Sequence, residues 1–530
     1  MTGRSAVAKM AKLVAAEVVG GRLGDASQQA LEAIGHSPEL AADLLALIIK
    51  EGGKKRPDDS MLSACGFLLG HALEQVRYAV DRKSPVGQAL AGELRRVLST
   101  AGASGHISPP TLLLVLHLFA AAKLEMGDEL RDLMQRMMDA DTDARAKIEP
   151  GAWGNHLAAM VEELERDAFA IHGFLDETVT AMPEAMRAPF IAATFAEAEP
   201  ALREASIGFL CSEWSALRFT TAELIEGAAP HGYISPTMLR RMIGLRNWLP
   251  AEQRPALDRA IKACRQAGVV CASWPKAVTG RVLATGIDGS GAHSLLVILP
   301  ERRTHAVVAM LGKLGAGVRD AWVKRGLSKA ELAEIEQRFA VEAFLTPTTL
   351  DYAVMAARSL LAMNVAKATM PPFGLLEFAE AIGLSNLNPE AMPTERLLEM
   401  LIADVSPEQL APESIAAVLA ESARWPKRHP MLESWFEDSE EVRRLLAKRG
   451  STSKKTEELL TGPFESRRST WAQLLAWSAL VLQHQGKGAD WQVFAIVGRE
   501  LLGGRPLGEI GLMHAIADAT IMVHREAGTG

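Results

Sequence analysis

The sequence predicts a mainly α-helical protein with a small antiparallel sheet near its middle. Three observations carry this expectation. Apolar residues recur at three- and four-residue spacing over most of the chain, a Ser/Thr-Pro helix entrance is used repeatedly, and one stretch, Val269 to Leu311, turns rich in β-branched residues and glycine. The architecture expected is an irregular HEAT-like helical repeat, or several helical bundles, carrying a three-stranded antiparallel meander near residues 276–311.

Along the chain, Met1–Glu17 interrupts its apolar residues with Arg4, Lys9 and Lys12. It reads as an amphipathic helix and lacks the continuous apolar core of a secretory signal. Helical patterns follow at Leu40–Ile49 and Leu130–Met138. The clearest stripe, Leu157, Val161, Leu164, Ala168 and Ile171, predicts one continuous helix. Further patterns run through Leu239–Leu249, Leu332–Phe339, Leu397–Ile402 and Val442–Leu446. The most apolar windows, Leu112–Ala122 and Trp471–Leu482, are broken by His117 and by Gln473 and Ser478. Both fall short of the roughly 20 apolar residues that span a bilayer, so they read as buried helices.

The entrance motif appears as Ile107-Ser108-Pro109-Pro110, Ile234-Ser235-Pro236, Leu345-Thr346-Pro347 and Val405-Ser406-Pro407, with Ser37-Pro38 as a looser copy. In each, the hydroxyl is placed to accept an orphaned backbone N–H, and Pro occupies the first helical position, where its missing N–H costs nothing. Ser328 with Glu331, and Asp438 with Glu441, add two capping boxes. The copies recur at unequal intervals, unlike a 33- or 34-residue array.

In the β-rich stretch, strands are expected at Val278–Ala284, Ser294–Leu299 and His305–Leu311. Leu295-Leu296-Val297-Ile298-Leu299 is apolar on both faces and is therefore expected to be the central strand, lying under a helix. The polar run Gly450–Thr456 is the best linker. The organisation that follows is an N-terminal helical region (1–270), the meander and its glycine-rich turn (271–325), a second helical region (326–450) and a C-terminal helical unit (457–530).

The composition narrows the function classes. Fifty-seven Lys and Arg stand against 64 Asp and Glu, a net charge of −7, which argues against nucleic acid as the principal partner. Cys65, Cys211, Cys264 and Cys271 form no C-x-x-C pair and read as thiols in a reducing compartment, so a cytoplasmic protein is expected.

No motif fixes a chemistry. The one candidate site is Gly312-Lys313-Leu314-Gly315-Ala316-Gly317, read as running from a strand into a helix through Val318–Trp322 with Arg319 on it. Backbone N–H groups at a helix N-terminus, beside Lys313 and Arg319, are the arrangement that holds phosphate. Gly312, Lys313, Gly315, Gly317 and Arg319 are thus the candidate ligand-binding residues, although the spacing is neither a P-loop nor a dinucleotide fingerprint. Asp288-Gly289-Ser290-Gly291 reads as a hairpin turn, because a calcium loop needs more carboxylates. Arg281, Arg302, Arg303, Lys313, Arg319, Lys324 and Arg325 make the meander locally basic and read as a solvated face. The histidines His156, His514 and His524 do not converge with nearby carboxylates, and no metal or cofactor is expected. The resulting expectation is a helical scaffold that binds a protein or peptide partner without catalysis. The alternatives are a phosphate or nucleotide ligand at the Gly312–Gly317 turn, and nucleic acid on the basic meander.

Overall fold

The structure is a computed structural model and describes residues 3–19, 24–54, 56–81, 84–140, 152–278, 280–485 and 490–527. Two compact units divide the chain between Phe209 and Leu210. Residue 270, the first boundary suggested by the sequence, lies within the second unit.

Among its described residues the first unit has helices joined by turns and loops, and no strand. Its helices are α1 (Gly3–Val19), α2 (Asp25–His36), α3 (Leu40–Gly52), α4 (Asp59–Asp81), α5 (Pro85–Ala103), α6 (Pro109–Ala121), α7 (Asp128–Ala140), α8 (Ala152–Glu163), α9 (Ala168–Ala181), α10 (Glu184–Ala196) and α11 (Pro200–Ser206). Ser108 starts α6 as its motif predicts, its hydroxyl accepting the Thr111 N–H with Pro109 at the first position. Ser84 starts α5 in the same way. Leu44, Ile48, Leu68, Leu73, Leu94 and Leu116, on α3 to α6, are fully buried in one aliphatic core. Each such side chain contributes about 1.5–3 kcal/mol by leaving water.

The stripe from Leu157 to Ile171 is not one helix. It is broken between α8 and α9, with Glu165 and Arg166 both at positive φ. The physical reason is Asp167: its carboxylate accepts the Phe169 and Ala170 N–H groups at 2.8 and 2.9 Å. Asp is a poor interior helix residue and a strong cap, so a new helix start wins over continuation.

The second unit opens with α12 (Ser215–Ala228), α13 (Pro236–Leu245) and α14 (Arg254–Gln266). Its sheet holds β1 (Arg281–Ala284), β2 (Ala292–Pro300), β3 (His305–Lys313), β4 (Gly317–Leu327) and β5 (Thr346–Thr348). The sheet is antiparallel in the order β4-β3-β2-β1-β5, so it has five strands where the sequence suggested three, and the Leu295–Leu299 run is indeed central. Residue 279, inside the first strand expected from the sequence, lies outside the described residues. Helix α15 (Lys329–Ala343) covers one face through Leu332, Ile335 and Phe339, which pack on Leu296, Ile298 and Val307. Helices α16 (Leu350–Ala366) and α17 (Gly374–Ala381) pack against β3 and β4. The chain continues through α18 (Thr394–Ala403), α19 (Pro412–Glu421), α20 (Glu440–Leu446), α21 (Thr452–Thr461), α22 (Pro463–Ser466), α23 (Arg468–His484), α24 (Asp490–Leu502) and α25 (Gly511–Ala527).

Five local expectations are corrected in this unit. Val318–Trp322 is part of β4 and not a helix, since pairing with β3 satisfies a strand edge that would otherwise lack hydrogen bonds. Thr346 does not cap a helix. Thr346–Thr348 pairs with β1, and Thr349 caps α16 by accepting the Tyr352 N–H at 3.2 Å. Ser406 starts only an isolated turn, with the next helix beginning at Pro412. The cap expected at Asp438 moves to Ser439, because Asp438 is taken by Arg443 at 2.7 and 2.9 Å. The linker expected at Gly450–Thr456 is largely the first turn of α21, with Ser451 as its cap. By contrast, the Ser328–Glu331 box has both of its reciprocal bonds. Among the described residues no helix is long and apolar enough to cross a membrane.

Candidate functional site

The glycine-rich turn predicted as a phosphate site is the β3–β4 hairpin. No helix N-terminus is present there, and the turn's N–H groups are already engaged. Leu314 N–H donates to Gly291 O at 2.8 Å, Ala316 N–H to Lys313 O at 2.9 Å, and Val318 N–H to Asn364 Oδ1 at 2.7 Å. Gly315 N–H points to the Met363 sulfur at 3.3 Å. Gly315 and Gly317 take positive φ, and a Cβ on Gly312 or Gly317 would collide with Leu360 or Asn364 of α16. The glycines therefore serve a tight turn packed on a helix. Lys313 and Arg319 are exposed on the hairpin. Elsewhere in the basic meander, Arg281 pairs with Glu336 of α15, while Arg302, Arg303, Lys324 and Arg325 are exposed.

The Asp288 loop is likewise structural. One carboxylate oxygen accepts the Ser290 and Ala292 N–H groups at 2.9 and 2.8 Å, and Trp435 Nε1 donates to Ile287 O at 2.9 Å. No group of three or more His, Cys, Asp or Glu among the described residues is arranged to hold a metal ion.

A second polar cluster is buried rather than open. Arg240 and Arg241 of α13 reach Glu380 of α17, at 2.7 Å from Arg240 Nη2 and 3.0 Å from Arg241 Nε. Burial pushes the Glu380 carboxyl up, but Arg241 and then Arg240 outweigh it and hold the group below the usual carboxylate range. Arg240 also lies over the Trp274 ring. With all three charged side chains shielded, this cluster locks α13 to α17.

An open pocket lies in the first unit. It encloses about 820 Å³ between the C-terminal halves of α3 and α5 and the turn into α6. That is the size of a ligand or peptide site. Ala46, Ile49, Lys50 and Gly53 share one face of α3, and Arg96, Val97, Thr100, Ala101 and Ser104 one face of α5. Ile49, Val97, Ala101 and Ile107 make the apolar part of the lining.

Most of the polar lining is already committed. Thr100 Oγ1 donates to Arg96 O at 2.8 Å, Ser104 Oγ to Thr100 O at 2.8 Å, and His106 Nδ1 lies 2.6 Å from Ser104 Oγ. Lys54 donates to both oxygens of Glu51 at 2.7 and 2.6 Å, so its charge is neutralised locally. Lys50 and Arg96 are different. Both are exposed, and neither has an ion-pair or hydrogen-bond partner among the described residues. Lys50 complements the negative end of α3, whereas Arg96 lies two turns before the end of α5, where no helix terminus calls for a cation.

This pocket was not foreseen as a site. Its traces in the sequence are the Leu40–Ile49 pattern running into Lys50 and the Gly105-His106 pair ahead of Ser108. Both read equally well as core and turn.

Comparison with known proteins adds two segments and one full-length likeness. Residues 183–268 match the Y4lR second domain, and residues 395–525 match the Y4lR C-terminal helical domain. The chain is 27% identical over 495 residues, 91% of each chain, to "Uncharacterized protein y4lR" of Sinorhizobium fredii (strain NBRC 101917 / NGR234). No solved structure matches. The pocket, at residues 46–108, lies outside both matched domains.

Proposed function

We propose that this protein is a helical scaffold that binds a partner protein by receiving a peptide segment of it in the groove between α3 and α5. One observation carries the reading: the open pocket of about 820 Å³ is floored by apolar side chains on two helix faces. Its hydroxyls are used by its own helix ends. A lining of that kind supplies contact area and shape; the Ser104 hydroxyl beside His106 already donates to Thr100 O, and no carboxylate is among the lining residues. An apolar cleft between helices is the physical requirement for seating an amphipathic helix or an extended segment. Stacked helices of the helical-repeat sort bind partners in this manner without any diagnostic residue.

The test is a display selection of randomised 14-residue peptides on the full-length protein, counter-selected on Ile49→Arg. Ile49 is only half-buried, so the variant is expected to keep the wild-type circular dichroism and melting temperature. Val97→Gln serves as a second groove variant. Peptides lost on both variants support the reading. A selection yielding only peptides indifferent to both would sink it.

A further inference from the structure

We infer that the segment received by this groove is acidic, its carboxylates pairing with Lys50 and Arg96 while its apolar side chains lie on Ile49, Val97 and Ala101. The inference rests on the groove being the binding site, and adds the chemistry of the occupant. Lys50 stands on the α3 side and Arg96 on the α5 side, and both lack an anionic partner, whereas Lys54 close by has Glu51. Two uncompensated cations at the rim of this cleft favour an anionic occupant, in a chain of net charge −7.

The floor decides between an acidic peptide and a compact anion such as phosphate. Both α3 and α5 end at the pocket, so each presents the negative end of its dipole there. The carbonyls in these last turns face the N–H groups that close them, as Gly53 N–H to Ile49 O at 3.1 Å and His106 N–H to Ala101 O at 2.9 Å. A dense anion seated deep in the cleft would meet these closed carbonyls, and at the start of α6 Pro109 and Pro110 carry no N–H while the Thr111 N–H is taken by Ser108 Oγ. Carboxylates spaced along a peptide stay at the rim, where the long Lys50 and Arg96 side chains reach them, and leave the floor to apolar groups. Such rim pairs act mainly on association rate and on salt dependence.

The experiment reads the charge of the groove-dependent peptides and then titrates one of them, fluorescein-labelled, by anisotropy. Enrichment of Asp and Glu is expected. Affinity should weaken about fivefold on Lys50→Glu or Arg96→Glu, about twentyfold on the double reversal, and not at all on Lys9→Glu of α1. Groove-dependent peptides that are neutral or basic, or that ignore both reversals, overturn the acidic inference and leave the groove as a binding site. Displacement of the peptide by millimolar inorganic phosphate, together with a phosphate-induced rise in melting temperature lost in Arg96→Glu, overturns it in favour of a small-anion site. An absence of groove-dependent peptides removes the scaffold reading and this inference together.

Discussion

Asn364 holds Val318 by both of its backbone groups: Oδ1 accepts the Val318 N–H at 2.7 Å, and Nδ2 donates to the Val318 carbonyl at 3.4 Å. One buried side-chain amide on α16 thus takes the place of a sixth strand at the start of β4. Asn364→Leu leaves two buried backbone groups without partners. It is expected to destabilise the second unit by about 2–4 kcal/mol, read as a lower urea midpoint. Gly317→Ala is expected to act in the same direction, because the new Cβ would meet the Asn364 amide and the residue would keep its positive φ. A variant of either kind with wild-type stability would contradict the packing role of this hairpin.

The Arg240–Glu380–Arg241 cluster makes a second prediction. Glu380→Ala removes a carboxylate that Arg240 and Arg241 share at 2.7 and 3.0 Å, and about 3–5 kcal/mol of destabilisation is expected. Replacing all three side chains with apolar ones of similar volume is expected to cost far less. Because the folded Glu380 carboxyl lies below its ordinary 4.5, its contribution is complete above that pH and is lost as the pH falls through the lowered folded value. Chemical denaturation of the wild type and of Glu380→Gln at pH 7 and at pH 3.5 checks this: the gap between them should shrink at the lower pH.

These two relationships show where the sequence is informative. Helix starts are local, so Ser108, Ser235 and the Ser328–Glu331 box are placed correctly from four or five residues. The same motif fails at Thr346, because β1 presents an unpaired edge and claims the segment as a strand. The helix expected at Val318–Trp322 after the glycine-rich turn fails because β3 presents an edge on the other side of the sheet and pairs with it. The error at Thr346 comes from a partner distant in sequence, which no local pattern contains, whereas β4 pairs with the neighbouring β3 across the hairpin turn. The groove is hidden for a related reason: Lys50 and Arg96 are ordinary helix-surface cations until folding sets α3 beside α5.

His172 and His293, one in each unit, make stability depend on pH. Burial pushes each ring down to about 4, opposed by the Ala205 backbone at His172 and by the Gly291 backbone and Asp288 at His293. The folded value is therefore below the ordinary 6.5, and the unfolded chain binds the extra proton. Stability is complete above about pH 6.5 and falls as the pH drops toward 4, by up to roughly 3 kcal/mol per histidine. His293→Met, which fits an apolar chain of similar size into the sheet, is expected to flatten this dependence in the second unit. Urea midpoints measured from pH 7 to pH 5 decide the matter. An equal slope in wild type and variant would exclude His293 as the source.

The four thiols allow each unit to report its own opening. Cys271 is exposed, while Cys65 in the first unit and Cys211 and Cys264 in the second are buried. Burial, reinforced by the Glu51 charge, raises the Cys65 thiol to about 11, and burial also raises Cys264. Since the thiolate is the reactive form, shielding and a raised pKa both slow attack on a disulfide reagent. At pH 8 without denaturant, one thiol per chain should react with Ellman's reagent within minutes, and Cys271→Ser should abolish that fast phase. The remaining three should appear only as urea opens the chain. Cys65 sits on α4 beside Glu51, and the Glu51 carboxylate is tied to Lys54 and to the Asp58 N–H at the edge of the groove. A bound groove peptide stabilises the folded first unit by mass action and is therefore expected to slow the labelling of Cys65, leaving Cys271 unchanged. Mass-spectrometric quantitation of each labelled cysteine separates these outcomes. Equal slowing at Cys271 would place the peptide elsewhere on the chain.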